Sequence, residues 1–192
     1  MAKIKICGLR RDADIDYVNA FKPDYVGFIL TDGFRRSIHV DTARRLKSKL
    51  DKHIKAVGVF VNDDIAKINR LVSDGVIDIV QLHGNESAEY CKKINAPIIK
   101  FFKPDMFSSI DEYDTDYYLF DSGAGTGKIF DWSKIPETDR PIFLAGGINK
   151  NNLAKAIKEI KPYCIDLSSA VETNGVKDYN KIKEIMEIVR YE

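Results

Sequence analysis

Short, continuously apolar runs alternate with helix-period segments from one end of the chain to the other. The runs are Lys3–Cys7, Tyr25–Leu30, Lys55–Val61, Ile77–Gln81, Pro97–Phe101, Tyr117–Phe120, Ile142–Leu144 and Cys164–Leu167. Most are too short for helices and too uniformly apolar for a half-exposed sheet, as expected of strands buried on both faces. Between them, Ala43, Leu46 and Leu50 share a helical face, as do Ile65, Ile68 and Val72, and Tyr90, Cys91 and Ile94. Leu153, Ala156, Ile157 and Ile160 follow an i, i+3, i+4, i+7 stripe, and so do Ile182, Ile185, Met186 and Val189. Asp12, Asp41, Asp63 and Ser87 are the expected cap or first-turn residues. Phe102–Thr115 has only a weak helical pattern.

The repeating unit is therefore βα, taken eight times along 192 residues. A parallel sheet of such units is either open and doubly wound or closed. Eight units favour closure into one (β/α)8 TIM barrel spanning 1–192 with short loops. An open flavodoxin-like or Rossmann sheet is the alternative, but no Gly-x-Gly-x-x-Gly follows the first strand.

Composition narrows the function. Thirty basic residues balance 29 acidic ones, for a net charge of +1, so the strongly basic footprint of nucleic-acid binders is missing. No apolar run approaches a membrane span of ~20 residues, and the lysines at positions 3 and 5 interrupt any leader-like start. The three cysteines, Cys7, Cys91 and Cys164, make neither a disulfide framework nor a zinc knuckle, which suits a reducing cytoplasm.

Active sites of such barrels lie where the strands end. Cys7-Gly8 ends the first strand, Gln81-Leu82-His83 the fourth, Asp121-Ser122 the sixth, Ala145-Gly146-Gly147 the seventh and Ser168-Ser169 the eighth. Gly146 and Gly147 precede a strongly periodic helix, where backbone N–H groups approach an anion, and Ser168 and Ser169 add donors. Gly146-Gly147 alone reads equally as a tight turn; the pairing of the last two loops points to phosphate. Gly123–Lys128 has a phosphate-loop look without the required spacing, and a lid or a bent connection is expected there. Cys7 reads either as core filler or as a rim thiolate. Asp121 reads either as a turn cap or as a carboxylate raised by burial. Of Arg35 and Arg36, one is expected at the surface and the other against an anion. No histidine has metal-ligand spacing, and no metal is expected.

Taken in order, Lys5-Ile6-Cys7-Gly8-Leu9, Val59-Phe60-Val61-Asn62, Val80–Glu86, Gly125–Trp132, Leu144–Ile148 and Leu167–Asp178 resemble the phosphoribosylanthranilate isomerases over nearly the whole chain. The resemblance implies a (β/α)8 barrel catalysing the Amadori rearrangement of N-(5-phosphoribosyl)anthranilate in tryptophan biosynthesis. It implies Cys7 as general base and Asp121 as general acid. It implies Arg36, Gln81 and His83 as substrate contacts, and Gly146, Gly147, Ser168 and Ser169 as the phosphate site. No cofactor is implied, since the substrate's amine is the electron sink, and the partner is a small sugar phosphate, with monomer or homodimer left open. The general acid and base must shift toward neutrality, Asp121 upward by burial and Cys7 downward by dipoles or cations. This sequence has Phe34-Arg35-Arg36 where the family commonly has Ser-Pro-Arg, a shorter loop after Asp121, and Ala170 and Ala124 where glycines are common. Indole-glycerol-phosphate synthase, ribulose-phosphate epimerase and a non-catalytic phosphate-ligand sensor are the competing readings on such a barrel.

Overall fold

In the first apolar run the side chains alternate. Ile4 and Ile6 join the core shared with the helices, while Lys5 and Cys7 face the other way. This run is strand β1 (Lys3–Cys7), and seven more follow it: β2 (Tyr25–Ile29), β3 (Lys55–Phe60), β4 (Ile79–Leu82), β5 (Ile98–Phe102), β6 (Tyr117–Phe120), β7 (Ile142–Leu144) and β8 (Cys164–Leu167). The computed structural model, which describes residues 2–122 and 130–191, pairs them in sequence order, all parallel, with β8 returning to β1. The closed eight-stranded barrel expected from the βα repeat is therefore the fold.

The ends of several runs shift by one or two residues. Ile77 packs in the outer core ahead of β4, and Pro97 contributes only its carbonyl, accepting from Val80 N at 3.0 Å. Proline has no N–H to give a ladder, so β5 begins one residue later.

The α-helices are α1 (Asp12–Phe21), α2 (Val40–Lys49), α3 (Ile65–Ser73), α4 (Ala88–Cys91), α5 (Leu153–Ile160) and α6 (Tyr179–Tyr191). The unit after β5 is a 3-10 helix, Pro104–Glu112, anchored by Ile110 against Phe102, Tyr118 and Phe120. After β6 the described residues hold only the 3-10 turn Trp132–Lys134. Gly123–Lys128, including Ala124, falls outside the described residues. Two caps differ from expectation. Asp14, not Asp12, closes the start of α1, accepting from Arg10 N and Arg11 N at 2.8 and 3.0 Å. Asp64 caps α3, while its neighbour Asp63 takes Lys67 and Thr31. Asp41 lies in the first turn of α2, and Ser87 caps α4 through Tyr90 N.

An antiparallel hairpin precedes α6, formed by β9 (Glu172–Thr173) and β10 (Val176–Lys177). Its turn, Asn174-Gly175, has φ of +52° and +78°, the left-handed pair that a tight two-residue hairpin demands.

Two apolar layers sandwich the strands. Ile4, Ile6, Val26, Phe28, Val80 and Leu167 face the helices. Val57, Ile79, Ile99, Leu119, Phe143 and Cys164 form a second cluster, the barrel interior. The end where the strands begin is shut by Tyr25, Tyr117, Phe143 and Tyr163, with Tyr25 Oη 2.9 Å from Tyr163 Oη and Lys3 Nζ donating to Tyr163 Oη at 2.8 Å.

Candidate active site

Cys7 is the last residue of β1, and its Cα partner on β2 is Gly27. A Cβ on Gly27 would lie 2.7 Å from Cys7 Sγ, so the missing side chain is what makes room for the sulphur. Ser168, following β8, donates its hydroxyl to Cys7 O at 3.0 Å. Cys7 as a whole is only 8% exposed. Burial pushes the thiol above its ordinary value; Lys5 and Lys177 pull it down and Asp166 pushes it further up. In this site the thiol thus sits on the opposite side of its ordinary value from the sequence expectation, because burial outweighs the cations.

Arg36 lies across Gly8, whose Cβ, were there one, would meet Arg36 Cδ at 2.6 Å. Gly8 has φ of +82°, so glycine is required there both by conformation and by the overlying arginine. Arg36 Nε and Nη2 donate to the two oxygens of Glu172 at 2.7 and 3.1 Å. Arg35 reaches the same carboxylate, but its side chain is 62% exposed against 18% for Arg36. Of the adjacent arginines, Arg36 is therefore the one beside Cys7. Lys177, from the hairpin, donates to Glu172 Oε1 at 2.8 Å and to Ser168 O at 3.0 Å. Burial works against the Glu172 charge, but Arg36 and Lys177 outweigh it and hold the carboxyl at about 2.

Gln81 and His83 are joined, Nε2 to Nδ1, at 2.9 Å, and His83 stacks on Phe101 with ring centroids 4.0 Å apart. Burial, with the charges of Lys5 and Lys100, lowers His83 to about 3, so its ring is neutral near pH 7. Gln81 Oε1 is buried with no hydrogen-bond partner among the described residues.

Asp121 follows β6, and Ser122 Oγ donates to its Oδ1 at 3.3 Å. Gly146, at φ +80°, packs against it: a Cβ there would be 2.7 Å from Ser122 N and 2.9 Å from Asp121 Oδ1. Gly147 also has positive φ, at +70°. The glycine pair does not open the helix directly. Helix α5 starts only at Leu153, and the intervening turn is tied down by Asn149 Nδ2 and Asn152 Nδ2, which donate to Gly147 O at 3.1 and 3.0 Å. Ser168 precedes, and Ser169 begins, the 3-10 turn Ser169–Val171.

Cys7 and Gln81 thus lie in the last residues of their strands, and His83, Asp121, Gly146, Gly147, Ser168 and Ser169 follow strand ends, all on one rim of a closed parallel barrel. Sequence reasoning placed Asp166 at the end of the eighth strand without a role in this site, and it gave none to Lys5, Glu172 and Lys177. The signal for the first was alternation, because Lys5 shares the inward face of Cys7. The signal for the last two was Asn174-Gly175, which folds Glu172 beside Lys177. Among the described residues no cluster of His, Cys, Asp and Glu is arranged to hold a metal. A cleft lined by Asp111, Asp114, Glu137 and Arg140 lies by the segments entering β6 and β7, opposite the rim.

Residues 4–188 match the family described as N-(5'phosphoribosyl)anthranilate (PRA) isomerase. The N-(5'-phosphoribosyl)anthranilate isomerase of Endomicrobium trichonymphae is 48% identical over 201 residues, covering 99% of each chain. The crystal structure of phosphoribosyl anthranilate isomerase from Thermotoga maritima superposes with a TM-score of 0.90 at 34% identity, over 100% of each chain. A phosphoribosyl anthranilate isomerase in complex with reduced 1-(o-carboxyphenylamino)-1-deoxyribulose 5-phosphate does so with a TM-score of 0.85 at 31% identity, again over 100% of each chain.

Proposed function

The chain belongs to the N-(5'-phosphoribosyl)anthranilate isomerase family, and we infer on that footing how its rim residues divide the work of an Amadori rearrangement. The enzyme is an aldose–ketose isomerase of tryptophan biosynthesis. In our reading Asp121 protonates the furanose ring oxygen, and the ring opens to a Schiff base. Cys7, once deprotonated, takes the proton from the sugar C2, and the electron pair moves toward the protonated imine nitrogen. The resulting enolamine tautomerises to the ketone of 1-(2-carboxyphenylamino)-1-deoxyribulose 5-phosphate. The substrate's own amine is the electron sink.

Arg36 meets the anthranilate carboxylate. Two of its nitrogens are held by Glu172, and Nη1 carries no bond among the described residues. Gln81 and neutral His83 contact the substrate as hydrogen-bonding groups. Gly146 and Gly147 on one loop, with Ser168 and Ser169 on the next, take the phosphate. One observation carries this reading: each phosphate loop is tied to the residue that bears a catalytic group, Gly146 packing against the Asp121 carboxylate and Ser168 bonding the backbone carbonyl of Cys7. A phosphate bound between β7 and β8 then anchors a pentose within reach of both.

The reading includes one catalytic domain over 1–192 and a cytoplasmic setting, which suits three cysteines that are all free thiols. Among the described residues no helix is long and apolar enough to cross a membrane.

The test is the loss of fluorescence of freshly generated phosphoribosylanthranilate. Cys7→Ala and Asp121→Asn are each expected to lower turnover more than ~100-fold with circular dichroism unchanged. Near-normal turnover in either variant removes that residue from the mechanism.

A further inference from the structure

Inward positions of a (β/α)8 barrel are ordinarily filled by branched apolar side chains. Here one of them is Lys5, fully buried, with Nζ 2.8 Å from Asp166 Oδ2. The β1–β8 register sets Lys5 directly opposite Asp166, and strand alternation sets it on the same face as Cys7. Such a pair adds little stability, since apolar side chains of equal volume do as well or better. This one carries a further cost, because Asp166 Oδ1 is buried with no hydrogen-bond partner among the described residues. Packing alone does not account for charges kept at this depth beside a thiol.

We propose that Lys5 and Asp166 are positioning residues that set the charge state of Cys7. The Lys5 ammonium favours the thiolate, and Asp166 fixes the ammonium in place while limiting its reach. This rests on the reading of Cys7 as the base. The charged groups around Cys7 are Lys5 on its own strand, Asp166 from β8, Lys177 and Glu172 from the hairpin, and Arg36 from the segment after β2, while Gly27 of β2 brings none. Lys5 is the largest of the charges that oppose the effect of burial, and Asp166 acts in the other direction. Removing the two charges one at a time must therefore move the thiol in opposite senses, which a purely structural role for the pair would not do.

The experiment measures the rate of Cys7 alkylation by iodoacetamide against pH, read by mass spectrometry of the Cys7 peptide, in the full chain. Lys5→Met should move the curve up by about one pH unit or more, so that alkylation at pH 7 slows about tenfold. Asp166→Asn should move it down, with all curves meeting at high pH. The pH profile of kcat should follow the same order. Unmoved curves, or two shifts of the same sign, overturn the proposal. If Lys5→Met fails to fold because Asp166 is left as a lone buried charge, the double variant Lys5→Met with Asp166→Leu keeps a neutral interior. Its curve must lie at higher pH than the wild type, and a curve at or below it overturns the proposal. Turnover retained in Cys7→Ala, with the alkylation curves displaced as stated, would refute the base assignment and leave the electrostatic role standing.

Discussion

Glu172 is the residue on which the cationic side of the rim converges. It accepts from Arg35, Arg36 and Lys177, and its side chain is only 5% exposed. Without it, Lys177 would be a nearly unpaired ammonium in the interior, and Arg36 would lose the brace that lays it across Gly8. Its carboxyl sits at about 2 against an ordinary 4.5. The folded value is depressed, so the associated stability is complete above about 4.5 and is lost as pH falls through about 2. Glu172→Gln should cost about 3 kcal/mol at neutral pH, the scale of a broken buried pair. It should also flatten the acid limb between those two pH values and raise KM more than it lowers kcat. Urea denaturation at several pH values checks the first two; an unchanged acid limb would place the stabilisation elsewhere.

At the scale of the element, the strands were legible and the connections less so. Strands buried on both faces are apolar nearly throughout, so runs such as Tyr117–Phe120 declare themselves, and their number favours the closed sheet that is found. The helical layer is less uniform. Helix α4 spans only Ala88–Cys91 although its apolar stripe reaches Ile94, and the unit after β5 is 3-10, started by Pro104 and held by a small aromatic cluster. Those outcomes depend on tertiary packing, which a periodic pattern does not encode. Position was legible for Cys7, which ends an apolar run, and for Asp121, which follows one; their roles came only from the family resemblance. The electrostatic frame was not legible, because Lys5 and Asp166 are 161 residues apart in sequence and meet only through closure. The β7–α5 loop is the element most open to a direct test. Gly146→Ala would strain a residue at φ +80° and drive a methyl into Ser122 N and Asp121 Oδ1. A cost of about 1–3 kcal/mol in stability is expected. Turnover should fall more than at Gly75, where φ is +68° but nothing lies within 4 Å of an added Cβ. Steady-state kinetics on Gly146→Ala and Gly75→Ala separate displacement of the acid from backbone strain alone.

For the whole molecule, closure makes every strand depend on two neighbours, so no strand has an edge from which to unzip alone. A sheet closed in this way should unfold in one cooperative step. Trp132, the one tryptophan, packs against the outer core from the 3-10 turn Trp132–Lys134 and reports on that turn. Its fluorescence and the far-ultraviolet circular dichroism should give the same urea midpoint; two separated midpoints would divide the chain into more than one unit. The tyrosines and Lys3 that shut the end where the strands begin have a consequence for traffic. A vessel stoppered at its base has one doorway, so the ketose must depart by the route along which the aldose arrived. While it occupies the site the next molecule waits outside.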